Sequence, residues 1–146
     1  MLVVEILQTK APEVISVTPG QTMVEVLRLF RDNNIGFVVV SRRPGEYLGT
    51  LSERDCCNAV AEHGPEAPMM RVADIMNRSM AICSVRDGLP MVMAIMTKRR
   101  TRHVLVMDSN SLVGVVSIGD VVKHRLDEFL RNEQTLHDYI AGIGYH

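Results

Sequence analysis

Apolar and polar positions along the chain run through one cycle of elements and then run through it again. Val14-Ile15-Ser16-Val17 is a short extended segment closed by Thr18-Pro19-Gly20, where Pro and Gly impose a turn. Thr22 followed by Glu25 forms a capping box, and Met23, Val26, Leu27 and Phe30 recur at helical period, which predicts a helix over about residues 23–33. Asn33-Asn34 end it. Gly36-Phe37-Val38-Val39-Val40 is a nearly unbroken apolar run rich in β-branched residues, the pattern of a strand buried on both faces. Past the turn at Arg42-Arg43-Pro44-Gly45, Tyr47-Leu48-Gly49-Thr50-Leu51 predicts a second strand. A helix follows Ser52, carries Cys56, Cys57, Val60 and Ala61, and dies out at His63-Gly64-Pro65.

The second cycle matches the first at an offset of 66: Met80-Ala81-Ile82-Cys83 repeats Val14-Ile15-Ser16-Val17, the helix from Leu89 repeats that from Met23, and His103-Val104-Leu105-Val106 repeats Phe37-Val38-Val39-Val40. Gly114-Val115-Val116-Ser117-Ile118-Gly119-Asp120 then echoes Gly49-Thr50-Leu51-Ser52-Glu53-Arg54-Asp55 at an offset of 65, the intervening turn being one residue shorter. The pattern predicts an α/β (α+β) fold of two β-α-β-β-α repeats related by a pseudo-two-fold axis, because a unit of this size buries little core alone. The chain divides into an N-terminal segment (1–9), a first repeat (10–63), a linker (64–73), a second repeat (74–128) and a C-terminal helical extension (129–146). In that extension Val122, Leu126, Phe129, Leu130, Leu136 and Ile140 continue an apolar stripe to Gly142, longer than one small domain needs, and this points to self-association. Met91, Met93 and Met96 are expected as core filler ahead of a soft binding surface.

Composition narrows the functional classes. The chain has 146 residues, 47% apolar and 23% charged, with a formal net charge of −1, which suits one compact unit and gives no broad electrostatic footprint for nucleic acid or an anionic membrane. The basic cluster Lys98-Arg99-Arg100-Thr101-Arg102-His103 reads as a solvated helix end. No apolar run approaches the roughly 18 residues of a spanning helix. Met1-Leu2-Val3-Val4-Glu5 has neither the basic start nor the apolar stretch of a signal peptide, so a cytoplasmic location is expected. Cys56, Cys57 and Cys83 are expected to be reduced and buried, and with His63, His124, His137 and His146 they show no metal spacing. Nothing places a nucleophile, a base and an orienting group together, so an enzyme is not expected.

Two readings attach to each Ser-x-x-Asp stretch. In one, Ser117 with Asp120, and Ser52 with Asp55, simply cap helix starts by satisfying orphan amides. In the other, each Asp carboxylate accepts the hydroxyl protons of a ribose cis-diol, with the helix-start amides and the Ser hydroxyl meeting further ligand oxygens. Two such stretches facing each other across a dyad would line a cleft.

The order of elements, the Pro-Gly turn before the first helix, Arg102-His103-Val104-Leu105-Val106 and the two Gly-x-x-Ser-x-x-Asp stretches resemble a tandem pair of cystathionine-β-synthase (CBS) domains. The resemblance covers roughly residues 10 to 128 and is closer in the second repeat. It implies a Bateman module that needs no cofactor for chemistry, has two clefts for adenosine compounds such as AMP, ADP, ATP or NAD(H), often dimerises and regulates a partner protein. Carried over residue by residue, one cleft has Ile15, Ile35 and Gly36 around the base and Ser117, Ile118 and Asp120 at the ribose. Arg102 and His103 fall where the family often binds phosphate, although a histidine opening a buried strand also has a structural reading. The other cleft has Ala81, Ile82 and Thr101 near the base and Ser52, Glu53 and Asp55 at the ribose. There Gly36-Phe37 stand in place of Arg102-His103 and Glu53 adds negative charge, so the Asp120 cleft is expected to be the better nucleotide site.

Overall fold

The computed structural model describes residues 1–10 and 14–142; Ala11, Pro12 and Glu13, and the last four residues of the predicted 129–146 extension, lie outside them. In chain order the elements are α1 (Val3–Gln8), β1 (Ser16–Val17), α2 (Met23–Asn33), β2 (Phe37–Val40), β3 (Gly49–Ser52) and α3 (Glu53–His63). A 3₁₀ turn (Gly64–Met69) and the short α4 (Val72–Ile75) lead into β4 (Ile82–Ser84), α5 (Leu89–Arg99), β5 (His103–Asp108), β6 (Ser111–Ser117) and α6 (Ile118–Ile140). Among them no helix is long and apolar enough to cross a membrane.

The predicted helix over residues 23–33 forms because Thr22 Oγ1 accepts the Glu25 amide and Glu25 returns a bond to the Thr22 amide, while Met23, Val26 and Phe30 supply one buried face. It ends at Asn34 in the left-handed region (φ 52°), and α5 ends at the equivalent Arg100 (φ 50°). In each half the first strand pairs in parallel with the second, and the second antiparallel with the third, giving sheets β1-β2-β3 and β4-β5-β6. The register repeats as the sequence does, with Ser16 opposite Val39 and Ile82 opposite Leu105. Val38, Val39 and Val40, like Val104, Leu105 and Val106, are buried throughout, as strands covered on both faces require.

The two halves exchange their leading helices. α1 precedes β1 yet packs Val3 and Ile6, both fully buried, with Cys83, Leu89, Val92, Val104 and Val116 of the second half. α4 precedes β4 yet places Val72 with Val17, Met23, Val26 and Leu51 of the first. The bonds correspond pair by pair: the Val3 amide donates to Asp87 O at 2.8 Å and the Val72 amide to Gln21 O at 2.8 Å, while those of Val4 and Ala73 reach Val85 O and Pro19 O. These leading segments match at an offset of 69 (Val3 to Val72), whereas the strands match at 66 (Ser16 to Ile82), so the first leading segment is three residues longer. The segment 64–73 is likewise no bare connection, since Ala67 and Val72 belong to the first core.

Two expectations are corrected. Met96 is buried, but Met91 and Met93 face solvent, because α5 turns only Leu89, Val92 and Met96 inward at i, i+3 and i+7. Cys57 is exposed, since α3 presents Cys56 and Ala59 to the core instead. All three thiols are free, and burial raises Cys56 and Cys83 to about 11, holding them protonated and inert. α6 is a single helix of 23 residues whose outer stripe of Val122, Leu126, Phe129, Leu130, Leu136 and Ile140 is wholly exposed.

Candidate nucleotide-binding site

Both Ser-x-x-Asp stretches form complete capping boxes with nearly superposable geometry. The Ser117 amide and hydroxyl donate to Asp120 Oδ2 at 2.8 and 3.0 Å, and the Asp120 amide donates to Ser117 Oγ at 3.2 Å. At Asp55 the same three bonds, with Ser52, measure 2.9, 3.0 and 3.2 Å. Capping alone therefore cannot distinguish the two positions; what surrounds each carboxylate does.

Beside Asp120 lies a cavity of about 520 Å³ between the halves. Val14, Ile15, Ile35, Phe37 and Val39 of the first half face Val113, Val115, His103 and Ser117 of the second, so its walls are chiefly apolar with a few polar side chains among them. Of the residues expected here, Ile15, Ile35, Gly36, His103 and Ser117 line it. Asp120 sits at its margin through Lys10, Ile118 is half-exposed at the start of α6, and the exposed Arg102 contributes its carbonyl, which accepts the Ile118 amide at 2.8 Å. The volume falls within the range of about 300 to 1,000 Å³ usual for small-molecule sites.

Sequence reasoning missed Lys10. Its Nζ donates to Asp120 Oδ2 at 2.6 Å and to Val115 O at 2.7 Å, and the side chain lines the cavity. Burial works to raise the Asp120 pKa, but the Lys10 and Ser117 hydrogen bonds and the Lys10 charge outweigh it and hold the carboxyl below its ordinary value. The adjacent Thr9 Oγ1 lies 3.3 Å from Nε2 of the buried His124, so two consecutive residues tie the end of α1 to the first two turns of α6.

His103 and its repeat partner Phe37 stack face to face, centroids 4.2 Å apart and planes at 7°, closing the wall between the two clefts. Burial, reinforced by Lys10 and Arg102 against the opposing pull of Asp120, lowers the His103 pKa to about 4. At neutral pH His103 thus enters the cleft as an uncharged ring.

The second cleft is nearly closed. A space of about 50 Å³, room for little more than one or two waters, is bordered by Ala81 and Thr101 together with Asn77, Ser79 and Arg99. Arg99 Nη2 donates to Ser79 O at 2.6 Å, and Asn77 bridges to Thr50 through paired backbone bonds of 2.9 and 2.8 Å, which occupy that side. Ile82, Ser52, Glu53 and Asp55 do not border the space. Glu53 instead packs on Gly36, where an added Cβ would lie 2.9 Å from Glu53 Cδ.

Two β-α-β-β-α halves, exchanged leading helices and a Ser-x-x-Asp cap beside an inter-half cavity accord with the CBS domain description, which matches residues 4–62 and 72–127. The chain belongs to the CBS domain family. It is similar to the CBS domain-containing protein CBSX3, mitochondrial, of Arabidopsis thaliana, 32% identical over 133 residues, covering 88% of this chain and 64% of that protein, so it spans just under two thirds of that relative's length. Among solved structures, the CBS-domain containing protein ATU1752 from Agrobacterium tumefaciens superposes with a TM-score of 0.82 at 35% identity, covering 86% of this chain and 99% of that one. The CBS domain protein PAE2072 from Pyrobaculum aerophilum, solved in complex with AMP, superposes with a TM-score of 0.70 at 28% identity, covering 82% of this chain and 89% of that one.

Proposed function

We propose that this CBS pair is an adenine-nucleotide-binding regulatory module that senses AMP, ADP, ATP or NAD(H) in the Asp120 cleft and modulates a partner protein, working as a homodimer through α6. The observation that carries the reading is the cavity of about 520 Å³ with largely apolar walls for a base and with Asp120 held at its margin by the lining Lys10. AMP in the Pyrobaculum relative supports the ligand class. Binding without turnover is the activity in this reading, with the Ser117 hydroxyl and the Asp120 carboxylate engaged in the helix cap. The Asp55 cleft is read as weak or unoccupied, because about 50 Å³ admits no nucleoside.

Equilibrium titration against AMP, ADP, ATP and NAD(H) tests this, and saturable binding by at least one is expected. Asp120→Ala weakens it by about 1–3 kcal/mol, the loss usual for hydrogen bonds to a charged group, while Asp55→Ala leaves it within experimental error. A second reading, in which both Ser-x-x-Asp stretches only cap helices of a ligand-independent interaction protein, is favoured by the completeness of both capping boxes. Absence of binding by every nucleotide would establish it.

A further inference from the structure

Lys10 lies outside both Ser-x-x-Asp stretches and outside the basic cluster Lys98–Arg102, yet among the described residues lining the large cavity it is the one lysine or arginine, and His103, the other basic side chain there, is a neutral ring. Arg102 is not among the lining residues. A phosphate entering this cleft therefore meets an ammonium group supplied by the segment after α1. We propose that Lys10 is the residue by which the Asp120 cleft selects phosphorylated over uncharged nucleosides, an inference that rests on nucleotide binding in that cleft.

The hydrogen-bond inventory supports the assignment. An ammonium has three protons, and two are used, one on Val115 O and one on Asp120 Oδ2. The third is available to a ligand oxygen without breaking either contact. Asp120 divides its own capacity in the same way: Lys10 Nζ, Ser117 N and Ser117 Oγ all converge on Oδ2, and Oδ1 accepts no hydrogen bond among the described residues. Oδ1 can thus take a ribose hydroxyl while Oδ2 holds Lys10 beside it, which sets a hydroxyl-binding oxygen and a phosphate-binding cation side by side. The part-buried position strengthens such a charge-assisted bond over one at the open surface. At the second cleft no lysine among the described residues reaches Asp55: the segment before β4 is shorter by three residues and presents Asn77 to Thr50 through its backbone. The difference between the clefts then follows from the length of a leading segment as much as from residues at the strand starts.

The test is isothermal titration of the intact protein, Lys10→Met, Lys10→Gln and Lys10→Arg with AMP and with adenosine. The native protein is expected to bind AMP at least about tenfold more tightly than adenosine, as a charge-assisted bond implies. Lys10→Met and Lys10→Gln should bring the two ligands to within about threefold, chiefly by weakening AMP, while Lys10→Arg retains most of the preference. The AMP affinity of the native protein should also fall with added salt, and that of Lys10→Gln should not. An unchanged AMP to adenosine ratio in Lys10→Gln, or an equal loss for both ligands, overturns the role of Lys10 and leaves nucleotide binding standing. No binding of either ligand by the native protein overturns both. Should Lys10→Met fail to fold, Lys10→Gln and the salt dependence of the native protein decide the matter.

Discussion

His103 shows how position overrides residue type. A histidine following an arginine invites a phosphate role, but its ring is part-buried and stacked on Phe37, and its pKa falls from 6.5 to about 4, with burial the main cause. The sign of the pH effect follows directly. Between these two values the unfolded chain takes up a proton that the folded chain refuses, so stability is lost as pH drops from 6.5 toward 4. Asp120 adds to the loss at lower pH, because its depressed pKa gives stability that disappears as the carboxyl is protonated below its ordinary value of 3.8. Urea midpoints for the native protein and His103→Phe, taken at pH 7 and pH 5, check this: the native midpoint should drop more than that of the variant, which keeps a stacked ring without the proton site. Equal drops would show that His103 titrates normally. Sequence reasoning placed His103 at the cleft and offered both a structural and a phosphate role; only the stack on a residue 66 positions away, and the lysine beyond it, decide its charge.

At the scale of elements, most of the fold was legible because periodicity and capping agree. α2, β2 and the Ser-capped starts of α3 and α6 were readable from Thr22–Glu25, the valine run and the Ser-x-x-Asp spacing, each a local signal. α1 was not. Val3, Val4, Ile6 and Leu7 crowd both faces of a six-residue helix, so no amphipathic stripe announces it, and its burial depends on the opposite half. Lys10 escaped for the same reason: its partners Val115 and Asp120 are 105 and 110 residues distant, brought near only by the exchange of leading helices. The exchange has a measurable consequence. Ile6 is fully buried in the core of the second half, so Ile6→Ala should cost about 2–5 kcal/mol in denaturant unfolding, as for other buried aliphatic truncations. Gly114→Ala would set a methyl 2.7 Å from Leu7 Cδ2, so the Leu7 side chain, also of α1, must turn aside to admit it. A neutral Ile6→Ala would mean that α1 is not part of that core.

For the whole molecule, the proposed homodimer and the proposed cleft meet in one helix. Asp120 is the third residue of α6, and Leu126, Phe129 and Leu130 are exposed one to three turns further along the same rod. Apolar side chains in such a row cost free energy in water, which a second copy would relieve. Because these side chains make little contact within the protomer, polar substitution there should leave its fold within about 0.5 kcal/mol of native, unlike a core change. Leu126→Glu with Phe129→Glu is therefore expected to yield a monomer by sedimentation velocity with an unchanged melting temperature. Coupling then has a strict form. If AMP bound beside Asp120 tightens the dimer by some factor, dimerisation must tighten AMP by that factor, whatever path the coupling takes through α6. The substituted monomer should accordingly bind AMP more weakly than the native dimer, by the square root of the ratio in which saturating AMP shifts the native dimer constant, since each dimer carries two such clefts. Equal AMP affinities in monomer and dimer would separate the two surfaces, leaving a cleft that binds nucleotide without passing the signal to its own arm.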